Sequence, residues 1–121
     1  MVNLPSSPRP VEWIGSSKGD LSRCSRQIKR DFGQALFEAQ IGLTPDIAKP
    51  LASFGYGVFE LRRWESSGTY RLVYAVKLKK AIYVLHVFQK KSKQGIATPR
   101  KDLALIEARL RDARIMDAAS Y

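Results

Sequence analysis

Basic side chains in the middle of this sequence are suited to chemistry on a phosphate group. Lys90 and Lys91 stand next to each other at the end of an apolar run, and Arg62 and Arg71 lie in the two runs before it. An arginine guanidinium can stabilise the negative charge that develops on a reacting phosphate. A lysine beside other cations gives up its proton more readily and can therefore transfer protons. These residue types suit RNA cleavage by attack of a ribose 2′-hydroxyl on the adjacent phosphate.

The net charge of the chain is concentrated in the same segment. The 121 residues include 21 Lys and Arg against 11 Asp and Glu, a formal charge of +10. Residues 56–101 hold 11 of these basic residues and 2 of the acidic ones, an excess of 11 − 2 = +9. Charge gathered on one supersecondary unit indicates an electrostatic site for phosphates.

Further basic and aromatic residues extend this set toward RNA binding. One further lysine follows the Lys90–Lys91 pair, and two others lie between the second and third long predicted strands. Aromatic rings nearby can stack on unpaired bases. The candidate RNA-binding residues are Lys79, Lys80, Lys93, Arg63 and Trp64. Tyr56 and Tyr83 are additional candidates for stacking, although aromatic residues in strands more often belong to the core.

Several other functional classes are excluded by what the sequence lacks. His86 is the only histidine and Cys24 the only cysteine, so we expect no disulfide, no metal site and no cofactor. His86 has two open interpretations, a buried hydrogen-bonded residue or a catalytic one. Gly55 and Gly57 precede a strand, which does not fit a nucleotide-binding loop. The longest apolar stretch, residues 81–88, is too short to span a bilayer as a helix, so no membrane contact is expected.

The periodicity of apolar residues predicts the elements that must position these side chains. A short strand is expected at residues 11–14, and a helix from Leu21 to a stop at Gly42, with Gly33 as a possible break. Three strands rich in β-branched and aromatic residues follow at 58–64, 70–76 and 81–88. Thr98 can cap a final helix that has Pro99 as its first residue.

This order predicts an α+β domain with an antiparallel sheet, N-terminal helices packed on one face and a C-terminal helix. We expect residues 1–121 to form a single domain, with a loose N-terminal arm at 1–9 and a loose C-terminal tail at 115–121. Alternation along the first long strand places Glu60, Arg62 and Trp64 on one face and Arg63 on the other.

Three strings of residues resemble the phage-derived, HigB-like branch of the RelE/ParE/HigB toxin superfamily. They are Phe-Glu-Leu-Arg at 59–62, Tyr-Arg-Leu-Val-Tyr at 70–74 and Tyr-Val-Leu-His-Val-Phe-Gln-Lys-Lys at 83–91. The resemblance extends over about residues 10–114, and the third string is the most specific. It implies a compact RelE-like fold and a cytoplasmic toxin of a type II toxin–antitoxin system.

The resemblance also implies a reaction and a set of partners. The expected activity is ribosome-dependent, metal-independent cleavage of messenger RNA, with Arg71 at the scissile phosphate, Lys90 and Lys91 as the basic pair, and Arg62 and His86 as further catalytic candidates. The expected partner is a helix-turn-helix antitoxin, through which the complex binds operator DNA. Two alternatives stay open, namely a ParE-like inhibitor of DNA gyrase and a non-catalytic module that binds nucleic acid. The general base is unassigned.

Overall fold

A computed structural model describes residues 8–91 and 98–119 of the chain. Helices and strands are mixed along the sequence, and three long strands follow one another in its centre. In order, the elements are β1 (Val11–Trp13), α1 (Ser17–Ser22), α2 (Arg26–Gln40), β2 (Ala48–Pro50), a 3-10 turn (Ala52–Phe54), β3 (Val58–Glu65), β4 (Gly68–Ala75), β5 (Ile82–Lys90) and α3 (Arg100–Ala118). The predicted α+β class is confirmed.

The five strands form one mixed sheet in the order β1-β5-β4-β3-β2. The predicted meander is present, because β3, β4 and β5 pair antiparallel in sequence, and β2 pairs antiparallel with β3. β1 instead pairs parallel with β5, with Val11 opposite Ile82. A parallel pair needs a long crossover connection, and here the helices and the other strands provide it.

Each face of the sheet carries its own apolar core. On one face, α2 packs Phe32 and neighbouring residues against Leu61, Leu72 and Val84. On the other, α3 packs Ile106 and its neighbours against strand residues of the same three long strands. The central strands are therefore buried on both sides, which explains why β5 is a nearly continuous apolar run. N-terminal helices cover one face as predicted, and the C-terminal helix covers the other.

Helix α2 is one uninterrupted helix. Its N-cap is Ser25, whose hydroxyl accepts a hydrogen bond from the Ile28 backbone N–H at 3.2 Å. The break in the long predicted helix therefore falls between α1 and α2, and Gly33 lies in the middle of α2. A side chain added at Gly33 meets no atom within 4 Å.

Replacing Gly33 by alanine is expected to stabilise the protein by about 1 kcal/mol, because alanine has the higher helix propensity and restricts the unfolded chain. The site is exposed and sterically open, so no packing cost opposes this gain. Urea unfolding measures the effect as a higher midpoint at an unchanged slope. A lower midpoint would show that α2 is not continuous through Gly33.

Helix α3 continues four residues into the tail that was predicted to be loose, as far as Ala118. Its end is fixed because the Asp117 carboxylate accepts hydrogen bonds from the backbone N–H groups of Lys79 (2.8 Å) and Lys80 (2.7 Å) and from the Tyr83 hydroxyl (3.1 Å). The described part of the N-terminal arm is also fixed. Arg9 donates hydrogen bonds to carbonyl groups at the end of β4 and in the turn after it.

The Asp117 hydrogen bonds should make the stability of the protein depend on pH. Burial acts to raise the pKa of Asp117, but the three hydrogen bonds outweigh it and lower the pKa. The stabilisation is thus complete at a pH above the pKa of Asp117 in the unfolded chain, which is about 4. It is lost as the pH falls through the lower pKa of Asp117 in the folded protein.

Replacing Asp117 by asparagine should therefore lower the free energy of unfolding by roughly 1–2 kcal/mol at neutral pH. It should also flatten the decline of that free energy below about pH 4. Urea unfolding across a pH series measures both effects. Asp112→Asn, at an exposed carboxylate of the same helix, is the matched control and should retain the wild-type pH dependence.

Candidate functional site

A buried carboxylate lies between two arginines on the sheet face that α3 covers. Glu60 on β3 accepts a hydrogen bond from Arg62 Nε at 2.5 Å, and its second oxygen lies 3.7 Å from Arg71 Nη1. Thr98 donates its hydroxyl to the same oxygen at 3.3 Å and accepts from Arg71 Nη1 at 3.2 Å. We call Glu60, Arg62 and Arg71 the Arg–Glu–Arg cluster.

The strand register creates this cluster. Arg62 lies directly opposite Arg71 in the β3–β4 pair, and Glu60 lies opposite Val73. Residues opposite each other in a sheet project from the same face, and two like charges in that position repel each other. The Glu60 carboxylate between the arginines offsets this repulsion. The pKa of Arg71 is lowered, chiefly by burial and also by the charge of Arg62, although the opposite charge of Glu60 acts to raise it.

The members of the cluster differ in their access to solvent. The side chains of Arg71 and Glu60 are 0% and 1% exposed, whereas that of Arg62 is 31% exposed. Trp64, two residues further along β3 on the same face, is 64% exposed. A ligand that approaches from solvent therefore meets Arg62 and Trp64 before it can reach the buried Arg71.

The predicted lysine pair lies beside this cluster. Lys90 is opposite Thr69 in the β4–β5 pair, two positions from Arg71 on the same face, and Lys91 is exposed directly after β5. Gly68 permits the close approach of the two strands here, because a Cβ at this residue would lie 2.5 Å from the Lys90 carbonyl oxygen. Lys93 lies outside the described residues.

His86 is buried, and both of its ring nitrogens form hydrogen bonds. Nε2 lies 2.7 Å from the Asp102 carboxylate, and Nδ1 lies 3.3 Å from Arg109 Nη1. A guanidinium can only donate, so Nδ1 accepts and Nε2 carries the proton that is donated to Asp102. Phe88 stacks on the ring at 4.6 Å. Of the two roles that the sequence left open, this geometry favours the structural one.

The remaining predicted residues lie away from the cluster. Arg63 projects from the opposite face, where its Nε lies 3.2 Å from an Asp31 carboxylate oxygen on α2. Lys79 and Lys80 lie in the turn between β4 and β5, at the other end of these strands from Lys90, and the Lys80 ammonium donates to the Ala119 carbonyl. The basic residues of the central segment therefore form separate groups on the folded protein.

Four polar residues in these contacts were not predicted as site residues. Glu60 was placed on the same strand face as Arg62 by alternation, and that signal could have identified the pair. Thr98 was predicted to cap α3, but Pro99 occupies the cap position and the Thr98 hydroxyl contacts the cluster instead. Asp102 and Arg109 contact His86 from one face of α3, at positions seven residues apart.

Two other features of the described residues bear on chemistry. Residues 8–91 and 98–119 contain no group of three or more His, Cys, Asp or Glu side chains that could hold a metal ion. The Cys24 thiol donates to the Asp20 carbonyl at 3.5 Å. Burial, together with the nearby charges of Asp20 and Glu65, raises its pKa, so it is a poor nucleophile. In this part of the chain, no helix combines the length and apolar character needed to cross a membrane.

The fold and the cluster define a basic α+β domain with a polar site on one sheet face. The chain belongs to the family described as phage derived protein Gp49-like (DUF891), which matches residues 19–111. This match confirms the phage-derived branch predicted from the strand motifs. Among solved structures, a chain of the toxin–antitoxin complex RelBE2 from Mycobacterium tuberculosis is similar at 23% identity and a TM-score of 0.49, over 74% of this chain and 100% of that one. No match was found among curated proteins.

Proposed function

We propose that this chain is the toxin of a toxin–antitoxin system and cleaves RNA at the Arg–Glu–Arg cluster without a metal ion. The observation that carries the proposal is the buried Glu60 carboxylate, 2.5 Å from Arg62 and 3.7 Å from Arg71, on the face that also bears Lys90. Membership of the Gp49-like family supports it. So does the resemblance of the three strand strings to RelE/HigB toxins, because those strings contain the clustered residues.

The cluster and the neighbouring Lys90 together have groups for each part of the reaction. Glu60 takes the proton of the ribose 2′-hydroxyl, whose oxygen then forms a bond to phosphorus. The bond from phosphorus to the 5′-oxygen breaks, and this oxygen receives a proton from Lys90. The products are a 2′,3′-cyclic phosphate and a 5′-hydroxyl. Arg62 and Arg71 stabilise the negative charge that builds up on the phosphate, an effect that is strong where water is excluded.

The charge of the protein fits a substrate carried by the ribosome. A formal charge of +10 attracts the protein to RNA-rich surfaces, and the partly exposed Arg62 and Trp64 are the groups that an unpaired strand meets first. The proposed substrate is messenger RNA in the ribosome. The proposed partner is a helix-turn-helix antitoxin that covers the cluster with an acidic or helical segment and binds operator DNA in the complex.

The test is to induce the protein in bacterial cells and map RNA ends that carry a 5′-hydroxyl. We expect growth arrest and new 5′-hydroxyl ends in messenger RNA with the wild-type chain, and far fewer ends with Glu60→Gln. Reactions with purified RNA, with and without ribosomes, then measure ribosome dependence. Growth arrest with intact transcripts would refute the proposal, and loss of DNA supercoiling in the same cells would indicate gyrase instead. Salt-sensitive RNA binding without cleavage would indicate a non-catalytic module.

A further inference from the structure

A cavity of about 270 Å³ lies on the opposite face of the sheet from the cluster. It is bounded by the end of α2, the start of β3 and the end of β4. Its lining residues include Arg9, Thr44, Tyr56, Phe59, Tyr74 and Lys77. The volume is near the lower limit of about 300 Å³ for small-molecule sites. It therefore suits a ligand group the size of one nucleotide.

The wall of this cavity includes the side chain of Tyr74. Tyr74 is 1% exposed and its ring stacks on Phe59 with 5.7 Å between the ring centroids. Within residues 8–91 and 98–119 its hydroxyl has no protein hydrogen-bond partner and is not fully enclosed, so it can bond a ligand in the cavity. Burial raises the pKa of Tyr74 and the charge of Glu38 raises it further, so the hydroxyl keeps its proton and can donate it.

The rim of the cavity combines an aromatic ring with positive charge. Tyr56 is 87% exposed, and the Lys77 ammonium lies 4.8 Å from the centre of its ring. Gly57, with φ of +87°, permits this arrangement, because a Cβ there would lie 2.1 Å from Lys77 Cγ. Arg9 adds a second positive charge, although it also donates to the backbone carbonyls of Val76 and Leu78.

We propose that this cavity binds a nucleotide, with the base stacked on Tyr56, the base edge hydrogen-bonded by the Tyr74 hydroxyl and the phosphate held by Lys77. An exposed aromatic ring, a hydroxyl donor in the cavity wall and a cation are groups that recognise a base and its phosphate. A free mononucleotide and an unpaired nucleotide of an RNA strand share this chemistry. Because the cavity is separated from the Arg–Glu–Arg cluster by the sheet, its binding does not depend on cleavage.

Titration of the full chain, followed by the backbone amide resonances of Gly57 and Val76, tests the proposal. The ligands are uridine and adenosine monophosphates, a short single-stranded RNA and inorganic phosphate. We expect saturable shifts with the nucleotides and about three- to tenfold weaker binding in Tyr74→Phe, Tyr56→Ala and Lys77→Gln. Phe37→Ala, at an exposed ring outside the cavity, and Lys49→Gln are matched controls that should bind like wild type.

Each outcome decides a part of the proposal. Tighter binding of the RNA than of either monophosphate assigns the site to a strand, and the reverse assigns it to free nucleotides. Equal affinity in Tyr74→Phe would overturn the proposal, and so would phosphate alone shifting the same amides equally. Tyr74→Phe removes only a hydroxyl, so its melting temperature should not fall. Glu60→Gln should bind normally here, which separates this site from the proposed cleavage site.

Discussion

Replacing Arg62 by alanine is expected to reduce RNA cleavage by about 100-fold while the protein stays folded. Arg62 is the member of the cluster with a partly exposed side chain, so it can contact a phosphate without rearrangement of the core. Glu60 retains the buried Arg71 and the half-buried Thr98 as partners in the variant, which limits the loss of stability. The measurement is the rate of cleavage of a defined messenger RNA on ribosomes at saturating protein, together with urea unfolding of the purified variant.

Arg63→Ala is the most informative comparison for this experiment. The residue type and the strand are the same, but Arg63 projects from the opposite face and its ion pair with Asp31 is partly solvent-exposed. We expect a change in cleavage of less than about threefold and a small change in stability, because exposed ion pairs contribute little. A large loss of cleavage with Arg63→Ala, or none with Arg62→Ala, would contradict the placement of the site on the α3 face.

Sequence periodicity was sufficient for the parts of the site that depend on local geometry. The alternation of polar and apolar residues along β3 correctly separated Arg62 from Arg63, because side chains in a strand point alternately to the two faces. The short links between β3, β4 and β5 likewise predicted their antiparallel order. These features depend on neighbours in sequence, so they could be predicted without knowing the tertiary structure.

Other contacts depend on residues far apart in the chain. Lys79 and Lys90 are alike in sequence terms, and only the antiparallel β4–β5 pair shows that they lie at opposite ends of the strands. Thr98 has the composition of a helix cap, yet its hydroxyl bonds to Glu60, 38 residues away. The local signal for a cap and the distant contact compete for one side chain, and the structure shows which of them prevails.

The hydrogen-bond network around His86 corresponds to a pattern that is present in the sequence. Asp102 and Arg109 are seven residues apart in α3, about two helical turns, and so share a face with the buried Ile106 and Leu110. A charged residue in a buried apolar stripe needs a polar partner. The apolar run of β5 contains one such residue, His86. Pairing the buried polar positions of α3 and β5 would have predicted both the contact and the face that α3 covers.

The largest effect on stability is expected from Glu60→Leu, at roughly 3–5 kcal/mol, because Arg71 then loses its buried counter-charge. The double variant Glu60→Leu/Arg71→Met should recover most of this loss, since apolar side chains can replace a buried ion pair at little cost. A double-mutant cycle in urea measures the coupling between the two residues. Asp31→Leu is the control at a partly exposed ion pair and should lower the free energy of unfolding by less than about 1 kcal/mol. An unchanged free energy of unfolding in Glu60→Leu would contradict the pairing of Glu60 with Arg71. A double variant that is as stable as wild type but unable to cleave RNA would show that these charges serve the chemistry and not the fold.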